Sequence, residues 1–166
     1  SELDIDAKQA EAAQLDADIK NIDADVKKFE ALEADIKTNQ AGLDDITNEI
    51  NQMDGDIDQL KKQNKDLNAD LKKPNADKPA IRSRIAANNA SIAEKQVIVD
   101  DFKSGRGPKA DAAKQFKANQ IAANEAMADM GGGKSIKGKV KGKGGLSFKN
   151  LFAEASGDFQ KALGIK

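Results

Sequence analysis

Large apolar residues recur every seven positions along the first part of the chain. One series contains Phe29, Ile36, Leu43, Ile50, Ile57 and Leu71, with Asn64 in the remaining place. A second series, three residues later, contains Leu32, Asn39, Ile46, Met53, Leu60 and Leu67. Steps that alternate between three and four residues are typical of a coiled coil. We therefore predict one long acidic heptad helix over residues 1–73.

A turn and a second apolar seam follow this helix. Prolines stand at both ends of residues 74–79, and a helix does not continue easily through such a segment, so we predict a turn there. The second seam contains Ile81, Ile85, Asn88, Ile92, Lys95, Val99 and Phe102. Its spacing is again helical.

The two seams match each other if the second helix folds back on the first. Facing residues then have position numbers with a constant sum, as in Leu71/Ile81, Leu67/Ile85, Asn64/Asn88, Leu60/Ile92, Met53/Val99 and Ile50/Phe102. Asn64 and Asn88 fall in the same layer, where each amide can satisfy the other. An asparagine shifted against an aliphatic layer would lose hydrogen bonds at a cost of about 1–3 kcal/mol. We interpret this pair as a register lock; two independent polar interruptions are the alternative.

The returning arm, residues 80–130, is interrupted near 105–108. Gly105-Arg106-Gly107 breaks the helical pattern, and Pro108 suits the first turn of a new helix. We expect the register to survive the break, with Ile36 facing Phe116, Phe29 facing Ala123 and Ile22 facing Met130. Residues 1–21 then have no partner within the hairpin. The predicted fold class is all-α, a long antiparallel coiled-coil helical hairpin with a broken return arm.

The C-terminal part of the chain has a different composition. Residues 131–145 contain seven Gly, five Lys and no acidic residue, which predicts a flexible Gly/Lys-rich linker. Residues 146–166 predict a short amphipathic helix whose apolar face contains Phe148, Leu151, Phe152, Phe159 and Leu163. A tethered helix of this kind docks in a groove of another subunit or lies on a membrane surface. Packing back on its own hairpin is the other interpretation.

Charge is distributed unevenly along the chain. Residues 1–73 hold 19 acidic and 10 basic side chains, whereas residues 131–166 hold 2 acidic and 8 basic ones. An acidic first half and a basic tail attract each other, or the opposite end of a neighbour. The linker lysines, which are candidates to contact an acidic protein surface or a nucleic acid, are Lys134, Lys137, Lys139, Lys141 and Lys143. A spacer without a binding role is the remaining interpretation.

The composition excludes much of the usual enzyme chemistry. Without Cys or His the chain has no thiol nucleophile, no imidazole proton shuttle and no Cys/His zinc site. Gly133-Lys134-Ser135 lacks the first glycine of a phosphate-binding loop, because Ala128 stands in its place. We therefore assign no catalytic residue, metal site, cofactor or small-molecule substrate.

These features favour a non-enzymatic structural protein, an oligomeric coiled-coil component that docks into a larger complex through its basic tail. In organisation, though without a diagnostic motif, the chain is similar to bacteriophage scaffolding, internal-core and fibre-adaptor proteins, which combine charged helical rods with short basic docking ends. The alternative is a module for binding nucleic acid or a membrane surface, with the coiled coil as a spacer. With no signal peptide or transmembrane segment in the sequence, we expect a soluble protein, cytoplasmic or within a virion or other large assembly.

Overall fold

The computed structural model describes residues 1–131. They form three helices: α1 (Glu2–Asp70), α2 (Lys78–Lys103) and α3 (Gly107–Gly131). The structure is 92% helical, with no strand in the part of the chain that it describes, and the helices pack against each other. The prediction of an all-α fold is confirmed.

Helix α1 is supported along its surface by polar pairs spaced four residues apart. At its start the Ser1 hydroxyl accepts a hydrogen bond from the Asp4 amide at 3.4 Å. Gln40 and Gln52 donate side-chain hydrogen bonds to the aspartates four residues later, Asp44 and Asp56. Such pairs are each worth only a few tenths of a kcal/mol. The helix therefore depends on burial of its apolar seam wherever it has one.

Residues 71–77 connect α1 to α2. The Lys73 ammonium contacts the Asp70 carboxylate at 2.8 Å, and that hydrogen bond raises the pKa of Lys73 above its ordinary value. Asp77 caps α2, since its carboxylate accepts from the Ala80 amide at 3.2 Å, and Pro79 stands in the first turn. A carboxylate cap and an early proline are the usual signals for a helix start.

The break between α2 and α3 is a Schellman turn. The Gly105 amide donates to the Phe102 carbonyl at 2.9 Å and the Arg106 amide to the Asp101 carbonyl at 2.8 Å. Gly105, with φ of 74°, supplies the left-handed residue that this helix end requires. The Lys114 ammonium then donates to the Gly105 carbonyl at 2.8 Å. The break is a well-bonded element of the fold.

The described residues divide into two compact units. One unit contains residues 40–118, and its core is built from α1, α2 and α3. Its buried apolar side chains are Leu43, Ile46, Ile50, Ile57, Leu67, Val99, Phe102, Ala110 and Ala113. Every one of these α1 residues belongs to the two heptad series identified in the sequence. The seam of α1 is therefore what this unit buries.

The other unit contains residues 1–39 together with 119–131 of α3. Gln120, Ala123 and Met127 are buried, and Leu32 and Ile36 are half-buried. The Gln120 side-chain amide donates to the Ile36 carbonyl at 3.1 Å, while the amide of Asn119 donates to the Asn39 side-chain oxygen at 3.0 Å. These bonds set the pairing of α3 with α1 in this unit.

The predicted register beyond the break is wrong. Ile36 is reached by Gln120 rather than by Phe116, and the Phe116 ring lies against Gly42. Facing positions on α3 therefore come about one helical turn later than expected. The reason is the turn at residues 104–106, which uses residues without advancing along the helix axis. Ile22, expected to face Met130, is 62% exposed.

Candidate interaction surfaces

Asn64 and Asn88 lie in direct contact. The Asn88 amide nitrogen donates to the Asn64 side-chain oxygen at 2.9 Å, and both residues are half-buried. The Asn64 nitrogen donates in turn to the Asn89 oxygen at 2.9 Å, and Asn88 also donates to the Gln63 oxygen at 3.4 Å. The result is a chain of four amides across α1 and α2, which we call the amide layer.

Heptad spacing in the sequence identifies only the two central members of the amide layer, Asn64 and Asn88. Asn89 and Gln63 lie one residue off the apolar seams, so heptad spacing gives no reason to select them. The available signal is the repeated amide sequence itself, Gln63-Asn64 facing Asn88-Asn89. The depression beside Asn64 and Asn89 is open to solvent and lined partly by Lys61 and Lys65. An open amide-lined depression is poorly suited to enclosing a small-molecule substrate.

The N-terminal part of α1, residues 1–28, is exposed throughout; we call it the arm. One face of the arm carries apolar residues at helical spacing, and each is between 48% and 63% exposed: Ile5, Leu15, Ile19, Ile22 and Val26. We call this set the arm stripe. Lys8 and Ala12 occupy the two places of this row between Ile5 and Leu15, so its large apolar side chains are continuous only from Leu15 to Val26. Proteins rarely leave such a row uncovered in water, so it indicates an interaction site.

Acidic side chains border the arm stripe on both sides. At 100° per residue, Asp4, Glu11, Asp18 and Asp25 fall along one edge, and Glu2, Asp16 and Asp23 lie towards the other. In a coiled coil, charged residues at these positions flank the apolar seam and determine which helices pair with each other. An ion pair joins Lys27 to Asp23 at 3.4 Å, but both side chains are largely exposed. The arm therefore presents an apolar row between two negative edges.

The remaining residues predicted as sites lie outside the described residues. They are the docking face Phe148, Leu151, Phe152, Phe159 and Leu163, and the linker lysines Lys134, Lys137, Lys139, Lys141 and Lys143. Within residues 1–131, no group of three or more acidic, His or Cys side chains is arranged to hold a metal ion. None of the helices in that same range has the length and apolar content needed to cross a membrane.

Comparison with known proteins adds no relative: no family model matches the chain, and no curated protein or solved structure is significantly similar to it.

Proposed function

We propose that this chain is a non-enzymatic structural protein that oligomerises and attaches to a larger assembly. Its framework, in this proposal, is an antiparallel coiled-coil hairpin, α2 running back along α1. Two contacts support that direction, since Asn88 bonds Asn64 whereas the later residue Lys103 pairs with the earlier residue Asp54 at 3.3 Å. The Lys109–Glu49 ion pair continues the same trend on α3.

The observation that carries the assembly role is the exposed arm stripe. Five large apolar side chains on one helix face, each at least 48% exposed, cost free energy in water that burial against a partner would recover. Complete burial of a Leu or Ile side chain is worth about 1.5–3 kcal/mol. A heptad helix extended past its own covering helix is therefore well suited to pair with another subunit.

The charge distribution supports docking through the C-terminal residues. The tail, residues 131–166, has 8 basic and 2 acidic side chains, and the rest of the chain has an excess of acidic ones. Opposite charges on two parts of the same chain favour ordered contacts between subunits. The role proposed for Phe148, Phe152 and Phe159 is to anchor the tail in an apolar groove, as aromatic residues commonly do at interfaces.

Light scattering and chemical cross-linking of the full chain test this proposal. We expect a mass that rises with protein concentration, and cross-linked species larger than one chain. The same experiment on a chain ending at residue 130 separates the tail from the arm, because only the full chain should then reach the largest species. A full chain that stays monomeric at every concentration and captures no partner subunit contradicts the proposal.

One sequence feature favours a second candidate function. The five linker lysines have no acidic neighbour within residues 131–145, which suits a sequence-independent contact with nucleic acid phosphates. The acidic arm would oppose such a contact. If this function is correct, removing residues 131–166 abolishes DNA binding that weakens with salt; liposome flotation with the same pair of chains tests membrane attachment.

A further inference from the structure

We infer that the arm stripe is the docking site for the C-terminal segment 146–166 of a second copy of this chain. This inference rests on the proposed assembly function and identifies a second copy of the chain as the partner that binds the arm. Subunits joined in this way contact head to tail, arm of one copy to tail of the next, which produces a ring or a filament according to the rotation at each contact.

The negative edges of the arm argue against pairing of two arms. The edge positions Asp4, Glu11, Asp18 and Asp25, spaced by seven, contain no basic residue, and Asp16 and Asp23 continue the same sign on the opposite side. Two arms packed stripe to stripe would place these carboxylates next to each other, and like charges at such positions destabilise a coiled coil. The occupant must therefore carry an apolar face together with positive charge.

The chain contains one segment outside the described residues with both properties. The sequence of residues 146–166 has a row of five large apolar side chains at helical spacing and a net charge of +1, since Lys149, Lys161 and Lys166 outnumber Glu154 and Asp158. The adjoining residues 131–145 add five lysines and no carboxylate. The arm stripe covers 22 residues, from Ile5 to Val26, and the candidate occupant has 21. At about 1.5 Å per residue, a helix of 21 residues would have nearly the same length as the arm stripe.

The place where α3 ends leaves the arm of a neighbouring copy within reach of the tail. Gln120 contacts Ile36, and α3 ends at Gly131, so its last turns come beside the point where α1 becomes exposed. A helix that simply continued from Gly131 would cover the arm of its own chain without any linker. The sequence instead places 14 residues between Gly131 and Leu146, which extended span about 45 Å and are long enough to reach another subunit.

Cysteine cross-linking between two differently marked full chains tests this inference. The chain has no cysteine, so Ala12→Cys marks the arm and Ala155→Cys marks the tail without background. After mixing with a short bismaleimide, we expect the arm-to-tail product to exceed both homodimers. Adding Ile19→Asp to the arm-marked chain should lower this product at least tenfold, because it puts a carboxylate in the middle of the stripe.

Val97→Asp on α2 is the matched control. Val97 is 59% exposed, close to the 63% of Ile19, so it receives the same change in a region that the inference does not use. We expect the cross-link to be unchanged, and circular dichroism of both variants should show the helical content of the parent chain. An equal loss of cross-linking with Val97→Asp overturns the inference.

The other outcomes also have a definite meaning. Arm-to-arm products in excess would show that arms pair with each other, and a product formed only within a chain carrying both cysteines would show that the tail folds back on its own arm. Either result overturns the inference. If light scattering shows oligomers but no arm-to-tail product forms, the assembly function stands and this partner is wrong; a chain that is monomeric throughout refutes both.

Discussion

At the scale of single residues, the amide layer places polar side chains within a largely apolar seam. Asn64 and Asn88 satisfy one another and are joined by Gln63 and Asn89. Inside a half-buried seam an amide without a partner is costly, whereas a bonded pair is close to neutral. We therefore expect the layer to select a register more than it adds stability.

Asn64→Ala should lower the free energy of unfolding by about 1–3 kcal/mol, because it leaves the amide of Asn88 with its weaker bond to Gln63. The matched control is Asn68→Ala, an exposed position on the same helix. Urea denaturation followed by circular dichroism measures both. The double variant with Asn88→Ala should cost less than the two single changes together, and strict additivity would show that the two side chains do not act as a pair.

The two glycines within α1 provide a second comparison. A Cβ at Gly42 would lie 2.7 Å from ring carbons of Phe116, whereas a Cβ at Gly55 would meet nothing within 4 Å. We expect Gly55→Ala to stabilise the protein by about 0.5–1 kcal/mol through helix propensity. Gly42→Ala should instead destabilise it by about 1 kcal/mol, since the ring must move. If both variants gain equally in urea denaturation, Phe116 does not pack on Gly42.

At the scale of elements, the turn between α2 and α3 determines where α3 meets α1. Its geometry depends on Gly105, whose φ of 74° is unfavourable for residues with a Cβ. Gly105→Ala should therefore lower the thermal midpoint, with a cost of about 1–2 kcal/mol. Gly105→Asn should recover part of it, because asparagine tolerates this conformation better. Equal stability of all three chains would contradict a Schellman turn at this position.

The sequence predicted the elements better than it predicted their register. Heptad spacing placed Leu43, Ile50 and Ile57 on the apolar seam, and all three are buried. Residues with this period lie on one face of a helix, so they are buried together when that face is covered. The pairing of Ile36 with Gln120 could not be obtained in this way. A constant sum of position numbers assumes that every residue advances the chain by the same distance along the helix axis. The residues of the turn before Gly107 do not advance it in this way.

For the candidate interaction surfaces, too, the spacing of apolar residues predicts only part of what the structure shows. The sequence left residues 1–21 without a partner, and the structure extends the exposed region to residue 28. The reason is that facing positions on α3 come about one turn later than expected, so that α3 ends at Gly131 before it reaches the position that would face Ile22. Asn89 was missed because its position lies beside the seam rather than on it. The period of apolar residues identifies which face of a helix is buried. The contacts of polar residues beside that face depend on the length and direction of their side chains, which the period does not give.

At the scale of the whole molecule, we expect the arm stripe to become buried when copies assemble. The arm has no buried side chain, and tertiary packing supplies most of the stability of helices in proteins, so the arm should open far more often than the seam around Ile50. Hydrogen–deuterium exchange of the full chain at low and high protein concentration measures this directly. Amides of the arm should exchange rapidly in dilute solution and become protected at least tenfold on concentration, and those near Ile50 should be slow in both. Arm exchange that is independent of concentration would show that the arm stripe does not become buried on assembly.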